Sequence, residues 1–289
     1  MAHFPPFMVA GSALWDIIAT AERPMKPGFD LPGRIQRQMG GVALNVALAI
    51  ARLDRPVGLL SAIGRDAEGD MLLAEAATNG VDCTHVSRSD DPTDAYLAVE
   101  NPDGEVFSAI ADCAALELAG DRILAPLSKA PFTGTLVIDG NLPTDLLNCL
   151  PDLPALASAT CAYVPASPGK AERLRGVLAR GKAAIYVNLI EARILLDRDI
   201  ATAHQAAAAL FDAGAALAVV TDGPRQAASA DDQGRYAITP PTVEARTTTG
   251  AGDVFLANHL TAIADGLPHE DALARAVDGA TRHICAEAQ

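Results

Sequence analysis

Long apolar runs are missing from this chain. No stretch of eighteen uncharged apolar residues occurs in its 289 residues, so no membrane-spanning helix is expected. Basic residues are also scarce: 22 Lys and Arg stand against 36 Asp and Glu, a formal net charge of −14. That balance argues against a nucleic-acid groove, which needs clustered cations to neutralise phosphates. It does not exclude an anionic small ligand, because helix N-termini and backbone N–H groups bind phosphate without side-chain cations. The five cysteines (Cys83, Cys113, Cys149, Cys161, Cys285) are scattered without a C-x-x-C pair. Reduced thiols are predicted, not a disulfide framework or a zinc site. Residues 1–10 lack a basic segment leading into a long apolar run, so no signal peptide is predicted and a cytoplasmic protein is expected. The six histidines show no paired ligand spacing and no Gly-x-Ser-x-Gly elbow is present, which leaves metal or serine hydrolysis without support. Aromatics are only 4% of a chain that is 50% hydrophobic. Ala, Leu and Val carry the apolar content, which suits helices and buried parallel strands and argues against disorder.

What is present alternates. Residues 7–13 form a short apolar run that predicts a first buried strand, with Asp16 near its end. Residues 21–37 are rich in Pro, Gly and charge, without helical period, and read as a surface excursion with short strands at most. Apolar residues then recur at helical spacing over 42–53, a strand enters a turn at 59–64, and a helix over 66–79 stops at Gly80. Residues 96–99 and 106–110 around Pro102-Asp103-Gly104 predict a hairpin. From Gly134 onward, strands at 135–138, 162–164, 184–187 and 217–220 are separated by helical stretches such as 170–180 and 200–213. Strands separated by helices predict a mostly parallel sheet covered on both faces, an α/β fold. The whole chain, 1–289, reads as one domain.

The most informative string is Thr249-Gly250-Ala251-Gly252-Asp253, followed by apolar residues at helical spacing over 254–263. Small residues at 250–252 let backbone approach a ligand, and a helix start there would aim several N–H groups at one point. Such a site suits a transferring phosphoryl group, whose charge is spread over its oxygens. Asp253 beside it could take the proton from an attacking hydroxyl. An Asp in the first turn of a helix is also favourable to the helix dipole for no catalytic reason. The isolated string leaves both readings open.

Four elements in order resolve the choice. Gly40-Gly41 with Asn45, Asn188-Leu189-Ile190-Glu191, Thr221-Asp222-Gly223 and Thr249-Gly250-Ala251-Gly252-Asp253 together resemble the signatures of the ribokinase-like (PfkB) sugar-kinase family. The resemblance implies a three-layer α/β/α fold with a small β-lid built from about 17–38 and 93–111. It implies ATP-dependent phosphorylation of a sugar or nucleoside hydroxyl. Asp253 would be the base, and the amides of Gly250, Ala251 and Gly252 the anion hole. Asp16, Gly40, Gly41 and Asn45 would meet the acceptor; Asn188, Thr221, Gly223 and Thr249 would meet ATP; Glu191 would reach Mg²⁺ through water. A homodimer through the lid is a further expectation, with no nucleic acid or membrane partner. Residues 137–143 and 164–170 and the lid end Ile110-Ala111-Asp112 are similar to segments of pseudouridine kinases. Asp112, Asp139 and Asn141 would then contact the acceptor. Ribokinase-like and fructokinase-like specificities, and a non-catalytic sugar or nucleotide sensor of the same fold, stand as alternatives.

Three positions depart from the family pattern. Thr247 replaces an Asp that helps hold a monovalent cation, which removes a full charge and leaves K⁺ activation open. Gln226 stands where a second glycine is common after Thr-x-Gly. The sequence closes soon after a helical stretch at 272–286, where relatives supply further cation ligands.

Overall fold

In the computed structural model, residues 4–245 and 249–286 are described. The centre is a nine-stranded sheet. Val81–Asp82, Val57–Leu60, Phe7–Ala10, Thr135–Asp139, Thr160–Val164, Ala184–Asn188 and Leu217–Thr221 lie side by side in that order, all parallel. Ala227–Ala230 and Arg235–Ile238 extend one edge as antiparallel strands. The α/β class expected from the alternation is therefore observed.

Burial explains why these strands read as continuous apolar runs. Successive residues of a strand point to opposite faces, and here both faces are covered. Met8, Leu60, Leu136, Ile138, Ile185 and Val220 enter one apolar cluster, while Phe7, Val9, Leu59, Val137, Tyr186 and Val219 enter the other. The first cluster is capped by the helices Leu189–Leu196 and Ala203–Asp212 among others, the second by Val42–Ala51, Ala251–Ala264 and His269–Cys285.

Strand order reverses at Phe7–Ala10, which pairs with Val57–Leu60 on one side and Thr135–Asp139 on the other. In open parallel sheets a crevice forms outside the strand carboxyl ends at such a reversal. The candidate functional residues gather there.

A second sheet of four strands, ordered Gly33–Gly40, Leu14–Ala21, Ala95–Glu100 and Val106–Asp112, departs from this edge. Two sequence expectations change. The first apolar run ends at Ala10, and Asp16 belongs to the second strand, inside the small sheet rather than at the end of the first strand. Eight-residue strands flank the excursion: Leu14–Ala21 ends at its first residue, and Gly33–Gly40 takes up its last part, longer than its Pro and Gly content suggested. Its proline-rich stretch forms only the connection between them. A third difference lies at 170–180, where a 3₁₀ helix, Pro168–Leu174, precedes a short α-helix, Arg175–Leu178.

Trp15 moors the small sheet to the body. Its ring is 4% exposed, its indole N–H donates to the Glu68 carbonyl at 3.0 Å, and the Arg37 guanidinium lies 4.3 Å from the ring centre. Arg37 also pairs with the Glu68 carboxylate. No helix among the described residues is long and apolar enough to cross a membrane.

Candidate active site

Gly250 precedes the helix Ala251–Ala264 with φ +75°, a left-handed value that favours glycine. The first helical amides therefore lack intrahelical partners and remain available to an anion. Beyond its chain neighbours and its own helix backbone, no atom lies within 4 Å of where a Cβ on Gly252 would stand, so Gly252 faces open space. Asp253, in the first turn, lines a cleft of about 200 Å³ together with Gly252, Asn188, Glu191 and Thr221. Its carboxyl is pushed up to about 7 by burial, and further by the negative charge of Asp139; a hydrogen bond from Asn45 opposes the rise. A carboxyl poised near neutrality is suited to receiving a proton.

Asn188 and Glu191 are locked to each other at the start of the helix Leu189–Leu196. The Asn188 side chain accepts from Glu191 N at 2.9 Å, and Glu191 Oε2 accepts from Asn188 N at 2.8 Å. This reciprocal cap fixes both side chains at the cleft wall. Glu191 is buried, which raises its carboxyl above the ordinary range against the pull of the Asn188 hydrogen bonds. Among the described residues, no cluster of three His, Cys, Asp or Glu could hold a metal ion. The donor set fits Mg²⁺ carried on phosphates and met through water, since Mg²⁺ is commonly held by one or two carboxylates plus substrate oxygens. Thr221 ends its strand, and Gly223 follows with φ +52°. Gln226 closes that loop: its carbonyl accepts from Asp222 N at 2.7 Å, and its side chain accepts from His204 N at 2.9 Å.

The other half of the crevice is organised by Ser12, which the sequence reading did not single out. Its hydroxyl donates to Asp139 Oδ2 at 2.5 Å and accepts from Val42 N at 3.0 Å, while its carbonyl accepts from Leu44 N at 3.1 Å. Ser12 thus supplies the cap that Gly41 lacks for the helix Val42–Ala51. The pair Gly40-Gly41 is required by space. A Cβ on Gly40 would lie 2.3 Å from the Asp16 carboxyl, and one on Gly41 would lie 2.6 Å from the Ser12 carbonyl oxygen. Gly41 also has φ +89°. Asp16 is pushed up to about 6 by burial.

Several expected contacts fall elsewhere. Asp139 is fully buried, and its two oxygens serve Ser12 and Asn141, so it lies under the site instead of facing an acceptor. Asn141 also receives the ammonium of Lys170. Asn45, on the helix Val42–Ala51, offers a hydrogen bond that holds the Asp253 carboxyl down against its burial. Asp112 ends the outer strand, accepts from Ala114 N at 3.3 Å and pairs in register with Ala95, beside Trp15. Asp16 is one residue out of step, in the row of Tyr96 and Gln38. Thr247 lies outside the described residues. His259 is wholly buried, with Nδ1 2.8 Å from the Tyr186 hydroxyl, and packs inside the helix layer.

Comparison with known proteins identifies the family. The family model for pfkB family carbohydrate kinase matches residues 7–284. The uncharacterized sugar kinase YeiI of Escherichia coli is 34% identical over 142 residues, 48% of this chain and 39% of that protein. The ribokinase of Haemophilus influenzae is 26% identical over 270 residues, 92% of this chain and 87% of that protein. Pseudouridine kinases of Escherichia coli and Arabidopsis thaliana match over shorter stretches. A solved carbohydrate kinase from Agrobacterium tumefaciens superposes with a TM-score of 0.82 at 28% identity, covering 95% of this chain and 89% of that one. With a family match over residues 7–284 and a fold shared with a solved carbohydrate kinase, the chain belongs to the pfkB family of carbohydrate kinases.

Proposed function

We propose that the protein transfers the γ-phosphoryl group of ATP to a hydroxyl of a sugar or nucleoside, with Asp253 as general base. The observation that carries the reading is the placement of Asp253: its carboxyl stands in the cleft beside free helix N-terminal amides, raised to about 7. At that value the carboxylate holds a proton strongly enough to take one from an alcohol as attack proceeds, yet is ionised often enough to be ready. The O–H proton passes to Asp253 as the acceptor oxygen bonds to the γ-phosphorus, and the bond to the ADP oxygen breaks. The amides at 250–252 meet charge on the transferring group without reorganisation. Mg²⁺ bound with ATP would neutralise phosphate charge, and Glu191 would hold its water shell. Asn188, Thr221 and Gly223 flank the nucleotide, while Asp16, Gly40 and Gly41 flank the acceptor.

The strings around Asn141 and Lys170 favour a nucleoside acceptor of the pseudouridine type; the ribokinase relatives favour a free pentose. The small sheet acts as a lid that excludes water, which would otherwise compete for the phosphoryl group. Its outer residues Ile35, Leu97 and Ile110 are 76%, 40% and 66% exposed, and Leu97 and Ile110 are cross-strand partners. Such a face favours burial against a second copy.

A panel of pseudouridine, ribose, fructose and adenosine with ATP and Mg²⁺, assayed for ADP release with and without K⁺, tests the reading. Asp253→Asn should lower the rate on the active acceptor by about 10²- to 10⁴-fold while ATP still binds. Retention of near-normal turnover would remove Asp253 from the mechanism, and no release with any acceptor would favour the sensor.

A further inference from the structure

One hydrogen bond links the last helix to the anion loop. His283, in His269–Cys285, places Nε2 2.8 Å from the carbonyl oxygen of Thr249. A carbonyl oxygen only accepts, so Nε2 carries the hydrogen and donates. The helix Ala251–Ala264 does not itself fix that carbonyl, because its ladder begins at the Gly250 oxygen, which accepts from Val254 N at 3.0 Å. The Thr249 carbonyl shares a peptide plane with the Gly250 N–H. In a trans peptide these two groups point in opposite directions, and no cis peptide occurs among the described residues. Drawing the oxygen toward His283 therefore sets the Gly250 N–H pointing away from His283. That N–H is the first of the amides offered at the helix start.

The reach of the imidazole depends on Gly279. A Cβ there would lie 2.4 Å from Asn258 Nδ2, so glycine lets the last helix close onto Ala251–Ala264. His283 lies four residues on, on the same helix face. Arg52 and Arg282 line the small cavity of about 170 Å³ beside it, but the Arg282 guanidinium turns to Asp278. The bond from His283 holds the loop.

We propose that His283 is a positioning residue for phosphoryl transfer, aiming the first anion-hole amide by holding the Thr249 carbonyl from behind. This rests on the reading that the amides at 250–252 receive the transferring phosphoryl group. The test compares His283→Leu and His283→Gln with the parent in ADP release, using whichever panel acceptor turns over. Glutamine keeps an N–H donor of similar reach. His283→Leu should lower kcat roughly ten- to a hundred-fold, with the acceptor KM within about twofold, the signature of an interaction felt in the transition state. His283→Gln should recover most of the rate, and the thermal midpoints of all three proteins should coincide. Gly279→Ala, which keeps the imidazole but lifts its helix, should lower kcat in the same direction. Parental kcat in His283→Leu, or a glutamine variant as slow as the leucine one, overturns the proposal. If His283→Leu runs at the parental rate while Asp253→Asn is inactive, only the role of His283 falls. If the parent releases no ADP with any acceptor, the kinase reading falls with it.

Discussion

The two sheets of this molecule obey opposite rules. In the central sheet every residue of Phe7–Ala10 and Val57–Leu60 is buried, so each strand is apolar on both faces and fixed by helices on either side. In the small sheet every residue of Val106–Asp112 is exposed, and Ile35, Leu97 and Ile110 present apolar surface that nothing among the described residues covers. The first sheet is a frame that holds Asp253, Asn188 and Glu191 to one geometry. The second meets the body through contacts that include Trp15 and Arg37, and under the proposed function it would be the part that opens and closes. Under the proposed function, phosphoryl-transfer geometry would belong to the frame and acceptor choice to the lid.

That division can be attacked directly. Leu59→Ala, in the frame, should destabilise the protein by about 2–5 kcal/mol in denaturant unfolding, because a cavity opens between sheet and helix. Ile110→Ala, on the lid, should change stability by only about 0.5 kcal/mol or less. Equal losses at the two sites would show that the lid is as tightly integrated as the frame. Arg37→Ala removes the contact over Trp15, a cation–π pair of about 0.5–2 kcal/mol. It should raise the acceptor KM several-fold and leave the ATP KM alone; the reverse pattern would place the lid over the nucleotide. Ile110→Lys should convert a dimer to a monomer in sedimentation without shifting the unfolding of the frame, and an unchanged mass would remove the lid as the dimer face.

A pH-dependent effect concerns stability at the base. The folded carboxyl of Asp253 titrates near 7, above its ordinary 3.8, because burial penalises the charge. Stability from this group is full below about pH 4 and is lost as pH rises toward 7, since the unfolded state ionises first. Asp253→Asn should therefore melt a few degrees above the parent at pH 8, and the gap should close near pH 4. A gap independent of pH would contradict the raised carboxyl.

Much of the frame was legible in the sequence because its chemistry is local. Strands buried on both faces appear as short apolar runs at 135–138 and 217–220, and the structure extends each by one residue. Asn188 and Glu191 were legible only through the family resemblance, their reciprocal cap being a finding of the structure, whereas the glycines at 250 and 252 announce a loop that backbone alone must line. What escaped depends on contacts between distant segments. Asp139 looks like a polar strand end, but its partner Ser12 is 127 residues away. Asn45 is occupied by Asp253, and His283 meets a carbonyl 34 residues earlier. The lid strands Leu14–Ala21 and Gly33–Gly40 lack the apolar continuity of the frame because one face of their sheet is wet and the other faces the crevice, so their length was hidden.

The central claim is that Asp253 accepts the proton in phosphoryl transfer, and the pH dependence of kcat/KM for the acceptor tests it most directly. The parent should lose rate about tenfold per unit below roughly pH 7, following protonation of a single carboxyl. A rate that is flat from about pH 5 to 8, or a profile that persists unchanged in Asp253→Asn, would contradict it.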